Sequence, residues 1–185
     1  MNGNLLVMGA STGGPRVLEE LFSALPVLQA AIVIVQHITP CIDKAFAGSL
    51  GRVSRMPVKL AHEGDLLQDG QVYLAPGGVH LSLVNNRRVH LTAGERVNSV
   101  CPSIDVTMKT VEPTAGNLAG VILSGMGRDG ADGIAHVRNV GGLTIAQDQA
   151  TSVIYGMPKA AVETGKIQYV LSTNEIARKL KDIFS

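Results

Sequence analysis

The strongest constraint on this chain is a repeated alternation of short apolar runs with segments of helical periodicity. Leu5–Ala10, Ala31–Val35, Leu118–Leu123, Leu143–Ala146 and Gln168–Leu171 are brief runs rich in branched aliphatic residues, each ending at small or polar residues. A parallel strand buried on both faces reads as such a run, without the polar alternation of a half-exposed strand. Between the runs lie helix patterns. Pro15 opens one whose Val17, Leu18, Leu21, Phe22 and Leu25 share a face, Ile42, Phe46 and Leu50 mark a second, and Ile104, Met108 and Val111 a third. A fourth carries Ile134 and Val137 inward and stops at Gly141-Gly142, a short one is bracketed by Pro158 and Gly165, and a last begins at Ser172. Ser172 and Glu175 have capping-box spacing, and Ile176, Leu180 and the Ile183 or Phe184 position face inward behind them. Pro57–Ala61, Val72–Ala75, Val79–Val84 and Val89–Thr92 add short strands, the last two joined by a turn at Asn85-Asn86. The expected fold is α/β: a doubly wound, mainly parallel sheet with helices on both faces and an antiparallel hairpin insertion.

With 185 residues and 45% hydrophobic content, one domain spanning residues 1–185 is expected, without internal repeat or linker. Only 3% of residues are aromatic and Trp is absent, which disfavours sandwiches and aromatic barrels. A net charge of +1 with no basic block argues against nucleic acid. Cys41 and Cys101 are isolated, so neither a disulfide framework nor a zinc site is indicated, and a reducing cytoplasm fits. Met1–Asn4 leads into the first strand without a basic and apolar leader, and no apolar stretch approaches about 18 residues. The expectation is a cytoplasmic protein that is neither exported nor inserted in a membrane.

Three residues of complementary chemistry each follow a buried run: Ser11, His37 and Asp129. In open α/β sheets, function gathers beyond the carboxyl ends of the strands, so the three can meet at one edge. A serine hydroxyl needs an imidazole to take its proton, and the imidazole needs a carboxylate to fix its tautomer. Gly9-Ala10-Ser11-Thr12-Gly13 fits the GxSxG elbow, in which small neighbours allow a sharp strand-to-helix turn. The N–H of Thr12 and a second donor from Gly125-Met126-Gly127 are the expected oxyanion hole. The Ser11 loop also reads as a phosphate cradle or as tight packing, but neither GxGxxG with a later acidic residue nor GK[ST] is present. Asp132 competes with Asp129, since either could cap the following helix. If Asp129 acts on His37, Asp129→Asn should greatly lower the acylation rate and leave melting almost unchanged. Ser103 and Ser124 lie outside an elbow and read as structural, Ser103 as the cap of the helix near Ile104. His62, His80, His90 and His136 read as surface or structural, and Asp65, Asp69 and Asp148 as turn or cap residues.

The chain also resembles a known family over nearly its whole length. The resemblance rests on Gly9-Ala10-Ser11-Thr12-Gly13-Gly14, Gln36-His37, Val72-Tyr73-Leu74-Ala75-Pro76-Gly77-Gly78-Val79-His80, Gly125-Met126-Gly127-Arg128-Asp129-Gly130-Ala131 and Ala146-Gln147-Asp148-Gln149-Ala150-Thr151-Ser152. These five ordered blocks are similar to those of the catalytic domain of the chemotaxis receptor methylesterases, the CheB family. The resemblance implies a serine hydrolase that removes methyl esters from glutamyl side chains of receptors and also deamidates receptor glutamines. It implies Ser11, His37 and Asp129 as the catalytic triad, the N–H groups of Thr12 and Met126 as oxyanion donors, and neither metal nor cofactor. The implied partners are the methylated receptor cytoplasmic domain and a receiver domain in cis or trans.

Two departures stand out. Family members commonly carry a receiver and linker before the catalytic domain, whereas this sequence starts about at the first catalytic strand, as a stand-alone protein, an excised domain or part of a fusion would. Ile38-Thr39-Pro40-Cys41-Ile42-Asp43 replaces a glycine-containing stretch expected after the histidine, which alters the local substrate wall. The rival readings are a serine esterase with another substrate on the same scaffold, a non-catalytic receptor-binding or partner-binding module, and a phosphate-binding Rossmann-like domain.

Overall fold

The computed structural model describes residues 3–185. Met1 and Asn2, the start of the segment read as carrying no export leader, lie outside the described residues. Strands β1 (Leu5–Ala10) and β2 (Ala31–Gln36) are each followed by a helix, α1 (Gly14–Ala24) and α2 (Asp43–Val53). Short strands β3 (Val58–Leu60) and β4 (Val72–Leu74) come next, then the hairpin β5 (His80–Val84) and β6 (Arg88–Thr92). The second half runs α3 (Ile104–Lys109), β7 (Leu118–Ile122), α4 (Ala131–Asn139), β8 (Leu143–Gln147), α5 (Met157–Glu163), β9 (Tyr169–Leu171) and α6 (Thr173–Phe184).

One sheet has the order β3-β4-β2-β1-β7-β8-β9 with every adjacent pair parallel, and β5 and β6 form a separate antiparallel pair. The chain therefore winds outward from β1 on one side, returns to lay β7 against β1, and winds outward on the other. Its switch point is the β1–β7 boundary. Alternate residues of each central strand feed two cores. Leu6, Met8 and Ala10 join α1, α2 and α6 on one face. Leu5 and Val7 join α3, α4, α5 and the hairpin on the other. The α/β, doubly wound, largely parallel architecture read from the sequence is present, hairpin included.

Glycines set how closely the second layer approaches. A Cβ on Gly120 of β7 would lie 2.4 Å from Ile134 Cδ1, and one on Gly9 of β1 2.6 Å from Ile104 Cγ2. The start of α3 is thereby seated directly over the end of β1. The Asn85-Asn86 turn has both residues in the left-handed region, φ 52° and 54°, as a tight hairpin requires. One expected core residue is displaced: Ile42 precedes α2 and is 55% exposed. The reason is a contact distant in sequence, because a Cβ on Gly77 would sit 2.5 Å from Pro40 N, so residues 38–40 run across that glycine before the helix can start.

Ser172 accepts from Glu175 N, and the Glu175 carboxylate accepts from Ser172 N at 2.9 Å, completing the capping box of α6. Ser172→Ala is expected to lower stability by about 1 kcal/mol, and Leu180→Ala, which empties a fully buried position, by roughly 2–5 kcal/mol. Urea unfolding of both variants checks the ratio; an equal effect would mean that α6 is held by its cap and not by its apolar face.

Candidate active site

Ser11 follows the last residue of β1 and stands at the switch point. Its backbone is tied on three sides: its N–H donates to Ser124 O at 2.9 Å, and its carbonyl accepts from Gly14 N at 2.8 Å and from Gln36 Nε2 at 2.9 Å. Gly13, at φ 79°, makes the turn into α1. Val153 lies where a Gly13 side chain would project, at 2.4 Å from the ideal Cβ position. Gly125 is equally constrained, since its Cβ would come within 2.7 Å of Ser11 Cβ. The Gly125 loop after β7 thus packs against the serine. Among the described residues, the N–H groups of Thr12 and Met126 have no protein acceptor, and Met126 is 68% exposed.

His37 is the next residue after β2, whose last pair with β1 is Ala10 with Gln36, and its N–H donates to Ala10 O at 3.0 Å. Its ring Nε2 lies 2.7 Å from Asp129 Oδ2. Nδ1 is the other ring nitrogen, and among the described residues it has no protein partner. Asp129, in the loop after β7, is only 3% exposed. Burial works to raise its pKa, but hydrogen bonds from His37, Asn98, Ser103 and the Ile104 N–H outweigh it and hold the carboxyl below the ordinary aspartate value. The carboxylate is therefore kept ionised beside the imidazole. The structure brings Ser11, His37 and Asp129 to one edge, as their positions after β1, β2 and β7 predict.

Asp132 and the rejected serines separate cleanly from this group. Asp132 lies on the exposed side of α4 with Lys109 at 3.4 Å and Arg128 at 3.6 Å, and the N-cap of α4 is Gly130, without a side-chain cap. Capping falls instead to Asp105 of α3, whose Oδ1 accepts from Gly130 N at 3.0 Å and Gly133 N at 2.7 Å. Ser124 is fully buried; its hydroxyl donates to Thr12 O at 2.8 Å and accepts from Ile154 N at 3.0 Å, so it braces the elbow. Ser103 caps α3 as expected but also donates to Asp129 Oδ1 at 2.7 Å. His80 is buried, with Nε2 on Glu95 O at 2.8 Å and Nδ1 accepting from Ser103 N at 3.2 Å, so it supports the residue that supports Asp129.

Sequence reasoning passed over Asn98 and Asp105. Asn98 Nδ2 lies 2.8 Å from Asp105 Oδ2 and 2.9 Å from Asp129 Oδ1. Its turn was detectable as Asn98-Ser99 between two valines, but its reach into the site was not. The other motif blocks act as braces. Gln147 Oε1 accepts from Ser124 N at 2.8 Å, and Asp43 Oδ2 accepts from Gly77 N at 3.1 Å. Ile42, Met126 and Val153 are exposed around this edge. A half-open pocket of about 250 Å³, lined by Asn4, Ala31, Asp69 and Glu112 among others, lies instead by the amino ends of β1 and β2.

The model of the CheB methylesterase family matches residues 6–180. The chain belongs to the CheB methylesterase family. The Thermotoga maritima CheB methylesterase catalytic domain superposes with a TM-score of 0.92 at 38% identity, covering 98% of this chain and 99% of that one. A Pyrococcus horikoshii protein named protein-glutamate methylesterase/protein-glutamine glutaminase is 42% identical over 92% of this chain and 48% of its own length. One of the same name from Symbiobacterium thermophilum is 43% identical over 94% of this chain and 48% of its own length. The chain spans about half the length of these curated relatives.

These contacts revise one expectation. Asp129 accepts at Oδ1 from Asn98, Ser103 and the Asp105 N–H, and at Oδ2 from His37 and the Ile104 N–H. An amide NH2 in place of one oxygen strands buried donors, so Asp129→Asn is expected to lower stability by about 1–3 kcal/mol as well as changing charge. A carboxylate with a depressed folded pKa stabilises above its unfolded value of about 3.9 and loses that contribution as pH falls through the folded value. The stability gap between the parent and Asp129→Asn should accordingly be widest above about pH 5 and shrink below about pH 4 in urea titrations. A gap independent of pH would contradict an ionised Asp129.

Proposed function

We propose that this chain is the catalytic part of a serine hydrolase that removes methyl esters from glutamyl side chains of chemotaxis receptors and deamidates receptor glutamines. The observation that carries the reading is the 2.7 Å contact between His37 and a buried, ionised Asp129 at the edge where the Ser11 elbow ends β1. Membership of the CheB family and the names of the relatives support the substrate class. The exposed edge around Ser11 suits a side chain presented on a protein surface better than a small molecule enclosed in a pocket. The methylated receptor cytoplasmic domain is the substrate, a receiver domain in cis or trans is the regulatory partner, and both belong to the cytoplasm. Among the described residues no helix is long and apolar enough to cross a membrane.

In this reading Ser11 Oγ attacks the ester carbonyl and its proton passes to His37, with Asp129 stabilising the imidazolium. Because Nε2 faces Asp129, Nδ1 is the nitrogen that serves as base. The tetrahedral oxyanion takes the free N–H groups of Thr12 and Met126. Collapse breaks the C–O bond, the imidazolium protonates the leaving methoxide, and methanol departs. Water, deprotonated by the same ring, then cleaves the acyl-serine to glutamate and restores the hydroxyl. A glutamine substrate follows the same course with ammonia leaving. The chemistry is carried by these side chains and two backbone amides.

Methanol release from a methylated receptor cytoplasmic domain tests the assignment. Ser11→Ala should abolish turnover with an unchanged melting temperature, and His37→Ala should reduce kcat by on the order of 10⁴-fold or more. Asp132→Asn should retain activity. Substantial turnover by Ser11→Ala would place the nucleophile elsewhere, and parental activity of His37→Ala would remove the proposed base.

A further inference from the structure

Asn98 occupies a tight turn in which Val97 and Val100 exchange backbone hydrogen bonds at 3.0 Å, while Asn98 and Ser99 both adopt left-handed geometry, φ 52° and 67°. Asparagine tolerates that geometry better than most side chains. The residue as a whole is exposed, yet its amide NH2 reaches inward and spends its two hydrogens on two different carboxylates. One is Asp129, which faces His37; the other is Asp105, which caps α4. Two buried carboxylates side by side repel, and each disfavours ionisation of the other. A neutral double donor between them relieves this without adding a charge that would compete with the imidazolium.

We infer that Asn98 is a positioning residue of the hydrolytic site: its amide bridges Asp105 and Asp129 and holds the Asp129 carboxylate with Oδ2 toward His37 Nε2. The inference rests on the proposed hydrolase reading. The donors on Asp129 Oδ1 divide by mobility. Ser103 Oγ and the Asp105 N–H belong to the start of α3, whereas Asn98 arrives from a surface turn. The charged or titratable groups around the carboxylate are His37 at the end of β2 and Asp105 on α3, with Lys109 acting on Asp105. Removing the Asn98 donor leaves more negative potential for His37 alone to neutralise, so its proton is held more tightly and the neutral base appears at higher pH.

The test uses methanol release from a methylated receptor domain by the parent, Ser11→Ala, Asn98→Gly, Asn98→Asp and Ser99→Gly. Glycine at 98 keeps the left-handed turn and deletes the amide; aspartate keeps the shape and replaces both donors with a third carboxylate. Asn98→Gly should lower kcat by about 10- to 100-fold, the range for one hydrogen bond to a charged group, with KM within about twofold. Its kcat/KM acid limb should move to higher pH. Asn98→Asp should move the limb further, and Ser99→Gly should match the parent. The His37 Nε2 proton, observed by NMR, should lose downfield shift in Asn98→Gly, with the variant still folded and its melting temperature lowered by the loss of donors to two buried carboxylates. Parental kcat and pH profile in Asn98→Gly, or equal loss in Ser99→Gly, would overturn the assignment. Absence of methanol release by the parent, or full activity in Ser11→Ala, would instead reject the hydrolase reading.

Discussion

A carboxylate withdrawn from water is tolerated only where donors replace its hydration, and in this fold Asp129 collects them from three stretches of chain. His37 comes from the end of β2, Asn98 from a surface turn, and Ser103, Ile104 and Asp105 from the start of α3. None of these stretches is close to Asp129 in sequence. Each stretch supplies donors that favour the ionised carboxylate, which ties the chemistry of the site to the docking of α3 against the sheet. Gly9 and Gly130 make this possible, because a side chain at either would collide with Ile104, which follows the capping serine.

The serine is governed by a different constraint, the reversal of winding between β1 and β7. Loops leaving two adjacent strands at a switch point diverge toward opposite faces and open a crevice between them. Here that crevice is bounded by the Ser11 elbow and the Gly125 loop, and buried polar groups stitch the two together. Ser124 bonds the Thr12 carbonyl, Gln36 bonds the carbonyls of Ser11 and His37, and Gln147 holds Ser124. Directional hydrogen bonds between buried polar groups specify a geometry more sharply than apolar contacts do. The elbow is thus fixed from below, while the Thr12 and Met126 amides have no acceptor among the described residues.

Much of this was legible locally. The aliphatic runs located the central strands because burial on both faces leaves no room for alternation. Capping chemistry at Ser103 and Ser172 located helix starts, since an unsatisfied helix N–H demands a nearby side-chain oxygen. The positions of Ser11, His37 and Asp129 were legible for the same reason, each standing just past a strand. Misreadings occurred where a distant contact displaced a local preference. Ile42 fits a helical face by periodicity but is carried outside α2 by the passage of residues 38–40 over Gly77. Asp129 and Asp132 looked like alternative caps, yet α4 is capped by Asp105 from another helix.

The sequence by itself determined the strand and helix order, the α/β class and which three side chains stand beyond the ends of β1, β2 and β7, because periodicity, turns and caps act over a few residues. Only the tertiary structure decided that His37 meets Asp129 through Nε2, that Asp105 caps α4, and that Asn98 spans two carboxylates. Those outcomes depend on the direction of side chains, most of them brought together across 25 to 92 positions of chain, where neither propensity nor spacing carries information. The protein decides them by requiring that every buried charge find its donors.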